Sequence, residues 1–310
     1  MLLHQNKTKM KKQQNLSSFM PKYGTEEKCF NYLVYQKWSK GFKCSKCGCT
    51  EAIKGRTWHH KRCKSCKYDE SCTANTMFHK IKIPLPTAFA IIYQLSTMKK
   101  GMSTCEIARQ HGIHQETAWF FKRKVQSAMN AFEQKSLSWI VEVDEAVIGG
   151  YEKGKQGRSH GTKKPVMMAL EIGNYDQRKG RSQLLRAQTI SIDDYSSETL
   201  KSAIDEVIDQ DTVIISDGWK AYPKATGDRV HLGILSENGS NMPEIHRMIF
   251  NLKNWLRGTH HHVSKEHLQN YLNEFFFRFN YRSLKNLVAF FVLKKMTFHH
   301  QTPYISLVAS

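Results

Sequence analysis

Between residues 84 and 130 apolar side chains recur at helical intervals. Residues 87–98 carry Phe89, Ile92 and Leu95 at that spacing, after Pro84 and Pro86. A second helix opens at Ser103, whose capping box with Glu106 turns Ile107 and Ala108 inward. Gly112 makes the turn, and a third helix covers residues 115–129. From residue 138 the pattern changes to β-branched runs. Residues 139–148, 165–172 and 183–192 read as three strands, 198–208 as a helix and 212–216 as a fourth strand. An apolar run at 230–235 follows, then helical stretches at 244–255 and from 264 into the 280s.

Three strands, a helix, a fourth strand and terminal helices is the element order of an RNase H-like α/β fold. In that fold acidic groups from the first strand, the fourth strand and a later helix meet at one edge. The first two positions fall on Asp144 and Asp217, each at or just beyond the end of an apolar run. Two carboxylates from neighbouring strand ends hold divalent cations. A pair of hard cations roughly 3.5–4 Å apart stabilises both the attacking and the leaving oxygen of a phosphodiester. A strand-end Asp alone is more often a turn former or cap, so the pair matters more than either member. Asp193 and Asp194, with Ser196 or Ser197 and Glu198 close behind, read as such caps leading into the next helix.

Charge narrows the partner. The 310-residue chain has 47 Lys and Arg against 27 Asp and Glu, a formal charge of +20, which points to a polyanion such as DNA. The longest apolar stretch, residues 287–293, falls far short of the roughly 20 residues that span a bilayer, and the lysine-rich start lacks a signal-peptide core. An intracellular protein is expected. Lys122, Arg123 and Lys124 should lie on the exposed side of the third helix. That makes the preceding turn a helix-turn-helix and the helix from Gln115 a DNA-reading element, with a plain three-helix linker as the alternative.

Of eight cysteines, Cys44 and Cys47 form one CxxC pair and Cys63 and Cys66 another, fifteen residues apart. That spacing brings four thiolates onto one tetrahedral Zn²⁺, a zinc ribbon, with Phe42, Trp58 and Tyr68 as a miniature core. Cys29, Cys49, Cys72 and Cys105 are taken as structural. The domains expected are a basic mobile arm (residues 1–22), the ribbon (23–80), the helix-turn-helix-like domain (81–135), the catalytic domain (136–297) and a tail (298–310). Residues 149–165 hold several glycines with Lys153, Lys155, Arg158, Lys163 and Lys164, a flexible basic loop that grips DNA or merely stays soluble.

VEVDEAVIGG at 141–150, SDGWKAY at 216–222, IHRMIFNLKNWLRGTHH at 245–261 and HLQNYLNEFFFRFNYR at 267–282 resemble the ISXO-like transposases of bacterial insertion sequences. The resemblance runs from the ribbon to about Arg282. It departs from the family at Ala146 and His262. It implies a DDE-type enzyme, cytoplasmic and nucleoid-associated, that uses Mg²⁺ or Mn²⁺ to cut transposon ends and join the freed 3′-hydroxyl to target DNA, working as a dimer or larger synapse. Asp144 and Asp217 match its first two ligands. For the third the chain offers His246, with Lys253 nearly two turns on and on the same face to meet a phosphate oxygen. Asn251, on another face, and Glu274, in the following helix, are the alternatives. Consecutive His260, His261 and His262 cannot easily converge on one ion and read as an exposed turn. No Walker A pattern is present, and Tyr222 and Tyr271 lack the partners of a recombinase nucleophile. Two other readings stay open: a DNA-binding regulator with an inactive catalytic half, and an RNase H-like nuclease that never joins strands.

Overall fold

The computed structural model describes residues 15–130, 135–150, 153, 161–235, 241–260 and 263–298. These fall into two units, residues 15–130 with 284–298, and residues 135–283.

The first unit begins with two helices that the hydrophobic pattern did not announce. Helix α1 (Leu16–Tyr23) is capped by Asn15, whose Oδ1 accepts from the Ser18 N–H at 3.0 Å. Helix α2 (Glu26–Trp38) is capped by Thr25, with Glu26 and Glu27 in its first turn, where they favour the helix dipole. The arm expected over residues 1–22 is therefore helical from Leu16. Phe19 and Tyr23 are buried, with ring centroids 4.6 Å from Tyr93 and 5.3 Å from Phe89 respectively. Residues 1–14, with Lys7, Lys9, Lys11 and Lys12, lie outside the described residues.

Strands β1 (Ala52–Lys54), β2 (His60–Cys63) and β3 (Asp69–Ser71) form a small antiparallel sheet. Phe42 is buried beside it, but Trp58 is 48% exposed and sits edge-on to Phe30 instead of in a core. Cys29 and Cys72 are buried, whereas Cys105 is exposed and Cys49 half-buried, so no core role falls to those two. Helices α3 (Leu85–Thr97), α4 (Thr104–His111) and α5 (Gln115–Asn130) follow. Ser103 Oγ accepts from Glu106 N–H at 3.1 Å, and Gly112 closes α4 at φ 62°, a left-handed turn that favours glycine.

In the second unit β4 (Ile140–Ile148), β5 (Lys164–Asp176) and β6 (Arg181–Ser191) run antiparallel. Helix α6 (Ser197–Val207) leads to β7 (Val213–Asp217), which lies parallel to β4. The short α7 (Tyr222–Ala225) leads to β8 (His231–Ile234), parallel to β7. Among the described residues the sheet order is β6-β5-β4-β7-β8, an RNase H-like arrangement. Helices α8 (Pro243–His260) and α9 (Lys265–Asn280) complete the unit. Alternation along the strands divides the core. Val141, Val143 and Ile214 pack with Leu200, Ile204 and Tyr222 on one face. Val166, Met168 and Leu170 meet Ile245, Met248, Leu252 and Leu272 on the other. Asp194 accepts from Ser196 N–H at 2.9 Å and Ser196 caps α6, whereas Asp193 takes no part in the cap and pairs with Lys265 of α9 at 2.8 Å.

The chain then returns to the first unit through α10 (Val288–Phe298). A catalytic domain extending to residue 297 is thus corrected. Val288, Val292, Leu293 and Met296 are buried, and Met296 carbonyl accepts from Met77 N–H at 3.0 Å. Burying an apolar side chain is worth about 1.5–3 kcal/mol, so these four together rival the net stability of a domain, about 5–15 kcal/mol. That burial fixes which unit the helix joins.

Candidate functional site

Parallel pairing of β4 with β7 places Val143 opposite Ser216, so the next residue on each strand is an aspartate. Asp144 shares the sheet face of Ala146 and Ile148, and Asp217 follows Ile215 on that same face, under α8 and α9. The ligand oxygens of Asp144, Asp217 and Glu145 all lie within 4.8 Å of one another. Hard cations bind oxygens at about 2.0–2.6 Å, so oxygens this close suit one or two such ions.

His246 enters from the first turn of α8, its Nε2 3.1 Å from Asp144 Oδ2. Hydrogen bonding to Asp144 raises the pKa of the half-buried imidazole, outweighing its burial. One step deeper on β4, Glu142 is 6% exposed and its Oε2 accepts from the Ile245 N–H at 2.9 Å. Burial pushes this carboxyl above its ordinary range, and the Ile245 N–H opposes that rise. Two carboxylates on one strand face therefore hold consecutive residues of α8, one by backbone and one by side chain. Lys253 is half-buried further along α8; burial lowers its pKa and the charge of Asp144 opposes the fall.

Glu145 was not singled out from the sequence, because strand alternation sends it to the opposite face. It does begin there: the Tyr222 hydroxyl, fully buried on that side, has its pKa raised by burial and then by Glu145. Just past the point where pairing with β7 stops, its carboxylate nonetheless reaches the cluster. The only available sequence signal was its adjacency to Asp144. Glu274 is not brought to this group. It is fully buried in α9 and its carboxylate is held by Arg278, whose guanidinium lies 5.0 Å from the Trp255 ring centroid. Asn251 sits on the exposed side of α8. His260 is packed against Trp255 and Tyr271 in the last turn of α8, not in an exposed turn, while His261 and His262 lie outside the described residues. So do residues 151, 152 and 154–160 of the expected basic loop.

In the ribbon, Sγ of Cys44 and Cys66 are 3.6 Å apart and Sγ of Cys47 and Cys63 are 3.5 Å apart, with all four within 4.8 Å. A tetrahedral ion with Zn–S of about 2.3 Å sets neighbouring sulfurs about 3.8 Å apart, so the four thiols fit Zn²⁺.

The exposed basic face expected on α5 is corrected. Lys122 is 2% and Arg123 3% exposed. Lys122 Nζ donates to Met102 carbonyl at 2.7 Å, Arg123 to Gln126 Oε1 at 3.0 Å, and Lys124 Nζ to Met77 carbonyl at 3.1 Å. Residues around nearly the whole circumference of α5 are buried, and long basic stems carry their charges to carbonyls within the unit. Gln115 stays exposed and ties the start of α5 to Thr104 of α4, its Nε2 donating at 2.9 Å.

Residues 136–280 match the ISXO2-like transposase domain, and residues 24–69 match the transposase zinc-ribbon domain. The chain belongs to the ISXO2-like transposases. The acidic cluster of this DDE transposase thus lies inside the matched catalytic domain, and its four thiols inside the matched ribbon. No curated protein matches the transposase by sequence. Similar solved structures include a pre-cleavage Mos1 transpososome (12% identity, 66% of this chain and 76% of that one, TM-score 0.30). The Mos1 strand transfer complex is also similar (13% identity, 68% and 78% covered, TM-score 0.28). At these values the family assignment rests on the two sequence matches alone.

Proposed function

We propose that this transposase moves an insertion sequence by metal-dependent DNA strand cleavage followed by strand transfer. The observation that carries the reading is the convergence of Asp144 and Asp217, from two different strands, to within 4.8 Å beside His246. Asp144 and Asp217 hold the cations, and His246 serves as the third ligand, a nitrogen donor that suits Mn²⁺ somewhat better than Mg²⁺. Bound there, divalent cations would activate water for cleavage and then the 3′-hydroxyl for joining. Lys253 offers its ammonium to a phosphate oxygen beside the cluster. Tyr222, fully buried, is not available as a nucleophile. Zinc held by Cys44, Cys47, Cys63 and Cys66 fixes the ribbon. The ribbon and the α4–α5 pair, with Gln115 at its exposed start, recognise the terminal repeats, and two chains act together on two ends.

The test is a combined cleavage and joining assay on labelled duplexes carrying the repeats that flank the gene, with Mn²⁺. Nicked ends that become covalently joined to a target plasmid, lost in Asp217→Asn, are expected. Binding without nicking would indicate a regulator, and nicking without joined product a hydrolytic nuclease.

A further inference from the structure

The β5–β6 hairpin, at the end of the sheet remote from the acidic cluster, borders a cavity of about 520 Å³. Its walls include Tyr175, Lys179 and Arg181 from the hairpin, and Phe279 and Arg282 from the end of α9 and just beyond. Arg282 is built into place: its guanidinium donates to the carbonyls of Phe279 at 2.6 Å, Leu185 at 3.0 Å and Leu184, and lies 4.0 Å from the Phe279 ring centroid. Those bonds neutralise no charge and leave donors to spare. Asp176, the acidic residue among the lining, is occupied by Lys179 at 2.8 Å. The nearby Glu244 is turned inward, accepting from Ser182 N–H and pairing with Arg247. Arg178, Arg181 and Arg282 have no carboxylate partner among the described residues. Two unneutralised guanidinium groups, Arg181 and the fixed Arg282, thus line the cleft beside an exposed Tyr175 ring, with the exposed Arg178 next along the hairpin turn.

We infer that this hairpin cleft is a second DNA-contact surface, one that grips backbone phosphates away from the catalytic cluster. Guanidinium suits phosphate by its fork of donors, and a fixed guanidinium gives up little freedom on binding. Register sets the spacing: Asp144 pairs with Met168, and Tyr175 with Ser182, so the cleft lies seven residues along β5, roughly 23 Å from the cluster. The inference rests on the proposed DNA-processing activity only for the identity of the polyanion.

The experiment measures affinity of the full chain for a fluorescein-labelled random-sequence duplex across a salt series. Each phosphate contact contributes about 0.9 to the slope of log K against log salt. The double variant Arg178→Ser/Arg181→Ser, altered only at exposed positions, should lower that slope by about 1 to 2. Arg282→Lys, which keeps charge but not the fork, should weaken binding at low salt. Asp217→Asn should leave the slope unchanged. A parental slope in a double variant that melts like the parent overturns the inference. If the slope falls yet the parent neither nicks nor joins element ends, the cleft stands and the transposition reading fails. If nicking and joining proceed while the slope stays parental, the reverse holds.

Discussion

Glu142 and Asp144 stand two residues apart on one strand face and take hold of Ile245 and His246, consecutive on α8. Glu142→Ala leaves a buried N–H without its acceptor, a cost of about 1–3 kcal/mol, and frees the turn that aims His246. Turnover in the joining assay should fall in Glu142→Ala and return in Glu142→Gln, which keeps the accepting oxygen; equal loss in both would assign Glu142 a role through its charge. Asp144→Asn and Asp217→Asn should each reduce strand cleavage about a thousandfold while leaving duplex affinity within about threefold, since each removes a ligand of the cations that stabilise the transition state and no side chain that binds DNA phosphate directly. Asp144 and Asp217 were legible because β-branched runs end on them. Glu145 was not, since strand period alone turns it to the other face, and its carboxylate comes round only where β7 no longer pairs with β4. Glu142 was hidden for another reason: an acid inside an apolar strand has no sequence mark of the helix it will cap.

Helix α5 shows that a basic stripe in sequence is not a basic surface. Lys122→Ala should lower stability by about 1–3 kcal/mol, because the Met102 carbonyl loses a charged donor, while leaving the salt slope of duplex binding unchanged; thermal melts and the salt series check the two halves separately. The elements with strong periodicity, β4 to β7 and α3 to α5, were readable because burial on one face repeats at the element's own period. Helices α1 and α2 were harder, since their buried positions are few and mostly aromatic, and lysines surround them. Thr25 followed by Glu26 and Glu27 is the cap signal that would have found α2. For α10 the apolar run was visible, but nothing within it says which core receives it.

At the scale of the whole chain, the ribbon is too small to hold itself by apolar burial, and metal binding supplies its folding free energy. Freshly purified protein should contain one zinc per chain by elemental analysis. Removing it with a chelator should open residues 44–66 to protease while the sheet of the second unit keeps its melting transition; zinc-free protein with an intact ribbon would sink this assignment. The division into units has its own outcome in synthesis. Because α10 follows the catalytic unit in the chain yet completes the core begun by α1 to α5, a ribosome must translate the entire catalytic unit before the earlier one can close. Until then Phe19, Tyr23 and Met77 wait without their partners Phe290 and Met296, and a gene cut short just after Ser283 would yield an intact sheet tethered to a front half that aggregates.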